Sequence, residues 1–423
     1  MTDWSRRDVL SAVAAGLASA ELPRTSSAGL PARDATRNSM RIRTITAGVA
    51  VSGPDDVAAL DRALGRLLRA RQRAQDAGYE VQTIRVSASP LVASLDEGER
   101  RLAISALEKF DATIAAENAL LSIGPILSVD RFDPDLGAWT ADLMRRTQRI
   151  SCSVTVTSAE RGMHRSAIRS AAQVIAELSR VHVSGVANFR FAAAASVPAG
   201  TPFFPVAYHQ GPDSLALGLE SAGLVQAAFE GAADPEDAEV RLRRLMEAQL
   251  GPADTLGLQL AAAERVQYQG IDTSPAPGMD RSIGAAIESL TRRPFGQPAT
   301  LQACATITGV LKTLSVRTCG YCGLMLPVLE DPILAQRARE RRYGIQELLL
   351  YSTVCGTGLD VVPIPGDTGV DATAQIIADV GTLAVRLRKP LSARLFPVPG
   401  KASGDGVRFD DARLAESRVF SVD

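Results

Sequence analysis

From residue 40 onward the apolar positions switch repeatedly between two periods. The stretch RIRTITAGVAV (41–51) alternates β-branched and polar residues, which predicts a strand. Pro54 and Asp55 then open a run whose apolar residues recur at helical spacing to about Ala77. The same exchange continues along the chain. Strands are predicted at 79–89, 119–123, 151–158, 187–195, 265–274, 358–366 and 391–397. Helices are predicted at about 97–117, 135–147, 164–179, 235–263, 281–292, 298–313, 332–354 and 371–387. Strands alternating with amphipathic helices imply mostly parallel β-structure covered by helices. No clear linker interrupts residues 40–400. One large α/β barrel is therefore the expected architecture, with an eight-stranded α/β barrel as the alternative and the chemistry at the strand ends. Residues 401–423 are polar and weakly patterned, and read as a C-terminal tail.

The first 39 residues obey another logic. Arg6 and Arg7 precede a short apolar segment, Val9 to Ala20, that closes on Ala18-Ser19-Ala20. Basic region, apolar region and small-residue cleavage pattern are the layout of a twin-arginine signal peptide over 1–20. It predicts handling by the twin-arginine export machinery and a periplasmic or extracellular protein. The apolar segment is too short for a stable membrane span, which needs about 20 residues. Residues 21–39, rich in Pro, Ser, Ala and Arg, read as a linker. A start at Met40 is the alternative, and it leaves the protein cytoplasmic.

Composition narrows the function classes. The 423 residues are 46% hydrophobic, ample for a core. The net charge of −1 and an aromatic share of 4% remove the usual basis for nucleic-acid binding. Five cysteines are too sparse for a disulfide framework. Three histidines make a multi-histidine zinc site a poor expectation. There is no GxxxxGK[ST] loop for ATP, no GxGxxG for NAD, no HExxH and no GxSxG. A small-molecule ligand is the partner this leaves. The cofactor and any metal stay unknown, and self-association stays open.

An internal echo points to candidate chemistry. GIDTSPAPG (270–278) and GLDVVPIPG (358–366) share glycine, aspartate, both prolines and the final glycine. Each sets an aspartate, Asp272 or Asp360, near a strand end and stiffens the strand exit with its two prolines. Two equivalent strand ends are expected to present carboxylates to a common space, where one acts as acid and the other as base or cation ligand. Asp367, beside Thr368, reads either as a ligand-binding group or as the cap of the next helix. Arg43 and Arg85 lie inside strands, where an inward guanidinium needs a carboxylate partner or an anionic ligand. Cys319 and Cys322 form TCGYCG, read as structural ahead of a redox pair, half a metal site or a disulfide. His164 and His182 flank a helix and are weak candidates.

RIRTITAGVAV, SCSVTV, AYHQG (207–211), GIDTSPAP, GLMLPVLED (323–331) and CGTGLDVVPIPGDT (355–368) occur in an order and spacing that resembles one family across about 40–400. It is the uncharacterised family called domain of unknown function 711, or uncharacterised protein family 0210. The resemblance implies a fold like that of pyruvate formate-lyase, a barrel of about ten strands in two opposed parallel halves. His209 in AYHQG, Cys355 and Cys152 match positions of that pattern. His209 becomes a candidate general base or metal ligand, Cys355 a candidate nucleophile, with Cys152 a weaker one. His209 and Cys355 are expected in the cavity of Asp272 and Asp360. The resemblance supplies no reaction. Glycyl-radical enzymes of that fold keep their radical on a glycine near the C-terminus, whereas this chain reads Ser417-Arg418-Val419-Phe420-Ser421 there. A non-radical enzyme acting on a small polar metabolite is the leading expectation. An exported, non-enzymatic ligand-binding or scaffold protein is the alternative.

Overall fold

In β1 (Arg41–Val49) the residues turned toward the helices are Ile42, Ile45, Ala47 and Val49. The step of three between Ile42 and Ile45 breaks the period of two, and the cause is a β-bulge. Against β7 (Ser214–Glu220), Ile42 pairs with Leu219 and Thr44 with Gly218, so Arg43 is the extra residue. A bulge re-aims side chains. Here it lets Arg41, Arg43 and Thr44 all face one cavity.

The computed structural model describes residues 40–422, which fall within a single compact unit. The signal peptide and the linker expected from the sequence lie outside these residues. The sheet runs β8-β7-β1-β2-β3-β4-β6-β10-β9, with the two-residue β5 (Gly162–Met163) paired to β4 as its tenth strand. The remaining strands are β2 (Val81–Ala88), β3 (Ala119–Leu127), β4 (Ile150–Ser158), β6 (Phe191–Ala195), β8 (Gln267–Asp272), β9 (Gly358–Pro365) and β10 (Leu391–Val398). β1, β2, β3, β4 and β6 are mutually parallel. β7 and β10 join the two sides of that group antiparallel, and carry β8 and β9 parallel to themselves. The sheet thus has one parallel block flanked by strands of opposite direction.

Strand ladders do not close this sheet into the expected barrel: among the described residues β8 and β9 do not pair. Segment 317–328 reaches both edges instead. Thr318 forms a parallel bridge with Ile271 of β8, and Pro327 forms one with Asp360 of β9. The amide of Val328 donates to the carbonyl of Asp360 at 3.1 Å.

The main core lies between the outer face of the sheet and the helices. Helix Val57–Asp76 begins because Asp56 accepts from the amide of Ala59, and helix Glu97–Ala116 because Asp96 and Glu99 form a capping box. Asp331 caps two helices at once. It accepts from the amides of Ile333 and Leu334 at the start of Pro332–Arg339, and from Ser282 and the amide of Ile283 at the start of Ile283–Thr291. That double anchor fixes its neighbour Glu330.

The inner face of the sheet is covered by loops. Phe396 and Val398 of β10 pack with Leu329 and Val361 against Val407, Phe409, Leu414 and Val419. The tail read as polar therefore has a structural role. Its β11 (Gly406–Val407) pairs with β12 (Ser417–Arg418), and the amide of Ala415 donates to the carbonyl of Leu329.

Other boundaries move for local reasons. The helices expected over 332–354 are Pro332–Arg339 and Ile345–Ser352, separated where Arg341 takes a left-handed conformation. The strand expected from 187 begins at Phe191, after a 3₁₀ turn at Val186–Arg190. Strand β7, SLALGLE, is unmarked in the sequence reading because Gly218 weakens its β-pattern. Among the described residues no helix is long and apolar enough to cross a membrane.

Candidate functional site

A cavity of about 530 Å³ lies against the inner face of the sheet. That volume is in the range of small-molecule sites. Its wall uses the amino-terminal ends of β1 to β4, through Arg43, Thr44, Thr83, Arg85, Leu120 and Ser151. Facing them are the carboxyl-terminal ends of β7 and β8, through Glu220 and Asp272. Arg394 of β10, Glu330, Met325, Phe189, Phe203, Phe204 and Arg413 complete it. Because two blocks of strands run in opposite senses, both kinds of strand end meet here.

One polar centre is built on Arg394. Its guanidinium meets Asp360 Oδ1 at 2.6 Å and Glu330 Oε1 at 3.0 Å, and lies over the ring of Phe189 at 4.7 Å. Glu330 also accepts from Arg43 at 2.9 Å. Burial works against ionisation of Glu330, but Arg394 and Arg43 outweigh it and hold its carboxyl below the usual range. Burial pushes Asp360 the other way, above its usual value, with neighbouring Glu330 adding to the effect and Arg394 opposing it. Its Oδ2 is buried without a hydrogen-bond partner. Two carboxylates on one guanidinium thus separate in character.

The second centre is Asp272. Its Oδ1 accepts from the amide of Ser274 at 3.0 Å, the hydroxyl of Ser274 at 2.6 Å and the amide of Cys322 at 3.1 Å. Its Oδ2 accepts from the amide of Tyr321 at 3.1 Å. Burial raises its carboxyl above the ordinary value even against these four donors. No cation pairs with it among the described residues. The TCGYCG loop thus supplies a backbone cradle: Cys319 and Cys322 are free thiols, and the left-handed turn at Cys322 (φ 46°) helps direct amides at Asp272. Burial pushes the thiol of Cys322 up to about 11.

The third feature is Arg85. Its Nε donates to the hydroxyl of Thr83 at 3.2 Å, and its guanidinium lies over the Phe204 ring at 5.1 Å. Burial, joined by Arg43, pushes it down to about 9, which still leaves it charged at neutral pH.

The structure brings Asp272, Arg43 and Arg85 into one cavity and sets the other candidates elsewhere. Asp360 does not line it; it stands behind Arg394, re-aimed by a bulge. Leu359 pairs with Ala393 and Val362 with Leu395, so Asp360 and Val361 together face Arg394. His209 lies toward the other end of the sheet. Its amide donates to the carbonyl of Ala88 at 3.0 Å, its Nε2–H donates to the carbonyl of Gly211 at 2.9 Å, and burial lowers its pKa. Its ring packs beside Gly48, four residues beyond Thr44 on β1, or about 13 Å at strand rise. Cys355 is buried in the helix-side core with Cys304, on the opposite face of the sheet. Asp367 is exposed on a turn, because the proline segment does not exit the sheet but extends β9 to Pro365. It does not cap the next helix either, whose N-cap is Gly369. Cys152 is buried, and burial pushes its thiol up to about 12. His164 and His182 contact Ser158 and Ser184. Among the described residues no group of three His, Cys, Asp or Glu side chains is arranged to hold a metal ion.

Glu330 and Arg394 do not stand out in the sequence. Arg394 has a usable signal: it is the one charged residue inside LSARLFPV, a strand buried along its whole length. Glu330 has none beyond its place beside the helix cap.

An α/β sheet with an arginine-lined internal cavity defines the class. The chain belongs to the family described as Uncharacterised ACR (DUF711), whose model matches residues 35–411. It is 30% identical over 374 residues to a protein of Pyrobaculum arsenaticum named UPF0210 protein, covering 84% of this chain and 81% of that one. A UPF0210 protein of Desulforudis audaxviator is 27% identical, covering 87% of this chain and 88% of its own. One of Syntrophobacter fumaroxidans is 29% identical, covering 82% and 80%. The family is one of unknown function, and its members include archaeal proteins.

Proposed function

We propose that this protein is a non-radical enzyme that acts on a small polar metabolite inside the cavity, with Asp272 as the proton-transfer group. The carrying observation is the Asp272 carboxyl: it faces the cavity, is held by four donors, lacks a cation among the described residues and is raised in pKa by burial. A carboxyl so placed shifts toward the pH range where it can both give and take a proton. The cavity being lined by β8, β7, β1, β2, β3, β4 and β10 supports a sheet curled around it as an open barrel, with segment 317–328 spanning the gap. Mutual alignment of a proton-transfer group and a bound substrate is what such a wrapped wall provides.

The test is untargeted. The purified protein is incubated with a cellular metabolite extract and consumption is followed by mass spectrometry. One or a few metabolites should disappear with the wild type, and Asp272→Asn should reduce that rate at least about 100-fold, the usual scale of losing an acid–base group. No consumption by the wild type, or equal consumption by both, removes the enzyme reading.

Where the protein acts is a separate proposal, supported by Arg6-Arg7, the apolar segment and Ala18-Ser19-Ala20. It is export by the twin-arginine route. Replacing both arginines by lysine should leave the protein in the cytoplasm. A reporter exported equally well without residues 1–39 would overturn it.

A further inference from the structure

We propose that the ligand of the cavity is a carboxylate with a compact apolar body, and that Arg85 is the group that binds the carboxylate. The inference deepens the enzyme reading by naming a substrate class, and it uses the same cavity. Four guanidiniums stand close enough there to influence one another: Arg43, Arg85, Arg394 and Arg413. Three of them have carboxylates. Arg43 and Arg394 share Glu330, Arg394 also holds Asp360, and Arg413 pairs with Asp411. Arg85 has no ion pair among the described residues. Only its Nε–H is used, on a neutral hydroxyl, while the two terminal nitrogens of the fork make no hydrogen bond to any described residue.

A guanidinium without a paired anion is costly where burial thins its hydration, and Glu330 acts on Arg85 only from beyond ion-pair distance. The ring of Phe204 offsets little of that cost and leaves the edge of the fork free. The cost is removed when an anion enters. Two parallel N–H donors match the two oxygens of a carboxylate. A phosphate suits the site less well. It carries more charge and more acceptors, no lysine lines the cavity among the described residues, and the neighbouring Arg43, Arg394 and Arg413 are already paired. The surrounding wall of Leu120, Phe203, Phe204, Pro205 and Met325 offers apolar surface to the rest of the molecule. Asp272, across the same cavity, then faces the body of the ligand and not its carboxylate, since like charges would repel.

The full-length protein is tested by thermal shift with three probes: benzoate, its neutral isostere benzamide, and inorganic phosphate. Saturating benzoate should raise Tm by about 2 °C or more. Benzamide should have no effect and phosphate a smaller one. Arg85→Gln should abolish the benzoate shift while its circular dichroism stays that of the wild type. Should Arg85→Gln fail to fold, Arg85→Lys is used; it keeps the charge but loses the fork, and should weaken benzoate binding about 10-fold or more. A benzoate shift that survives in Arg85→Gln, equal shifts from benzoate and benzamide, a larger shift from phosphate, or no shift from any probe overturns the proposal. Asp272→Asn separates the two readings, because it should keep the benzoate shift whether or not Asp272 moves protons.

Discussion

The same nine-residue pattern begins in β8 and in β9, and it sets two aspartates in different surroundings: Asp272 closes β8, whereas Asp360 is the third residue of β9. In both, the glycine sits at positive φ, 123° at Gly270 and 88° at Gly358. In both, it lets a neighbouring carbonyl approach: an added Cβ would lie 2.6 Å from the oxygen of Arg317 or 2.4 Å from that of Ser392. Both strands also bridge to segment 317–328. Beyond this the neighbours differ. Beside Asp272 runs a Gly- and Cys-rich loop that offers only amides, and Ser274 adds its own amide and hydroxyl, so the carboxyl stays without a cation and faces the cavity. Beside Asp360 runs β10, which offers Arg394, so the carboxyl is drawn into an ion pair behind the cavity wall. The motif sets the backbone; the adjacent strand decides whether its aspartate is available for chemistry.

The comparison breaks most visibly at Asp360. Asp360→Ala leaves Arg394 buried with Glu330 alone and should cost about 3 kcal/mol, the low end for breaking a buried pair. Asp272→Asn should cost less, about 1–2 kcal/mol, since no charge loses its counter-charge and only the amide of Tyr321 loses its acceptor. Denaturant midpoints read both, and equal losses would erase the distinction. Gly270→Ala and Gly358→Ala should each cost roughly 2 kcal/mol, because both force a Cβ into a backbone carbonyl at a left-handed position. Similar values would show that the two edges are equivalent as backbone although not as chemistry.

Two smaller effects concern protons. The Asp272 pKa is raised on folding, so the folded state binds more protons than the unfolded one above the ordinary value of 3.8. The associated stability is present below that value and is lost as pH rises through the raised one. Against Asp272→Asn, wild-type stability should therefore decline over that window and then run parallel; an unchanging difference would mean an unshifted carboxyl. Ser274→Ala removes a hydroxyl that favours the ionised form. It should move the acidic limb of the pH–rate profile upward at a stability cost of about 1 kcal/mol. A limb that stays in place would detach Asp272 from the rate.

Arg43 and Arg85 were legible as inward-facing residues because a guanidinium inside a strand has few ways to be satisfied, and a cavity with a carboxylate or an anion is one of them. Asp272 was legible through the echo. His209 and Cys355 were misplaced for one reason: a motif tells which residues lie near strand ends, but not which end or which face. His209 is toward the far end of β1 from the cavity, and Cys355 is on the helix side. Arg394 and Glu330 meet across 64 positions in sequence, and no local pattern reports such a meeting.

The sequence by itself determined the alternation of strands and helices and the membership of a family, since these rest on local periodicity and on the order of motifs. Only the tertiary structure decided that the tail packs onto the sheet, that β10 rather than a loop stands beside Asp360, and that Arg85 faces the cavity without a carboxylate. Those outcomes depend on strand register and on a bulge of one residue, and shifting either by a single position turns each side chain to the opposite face.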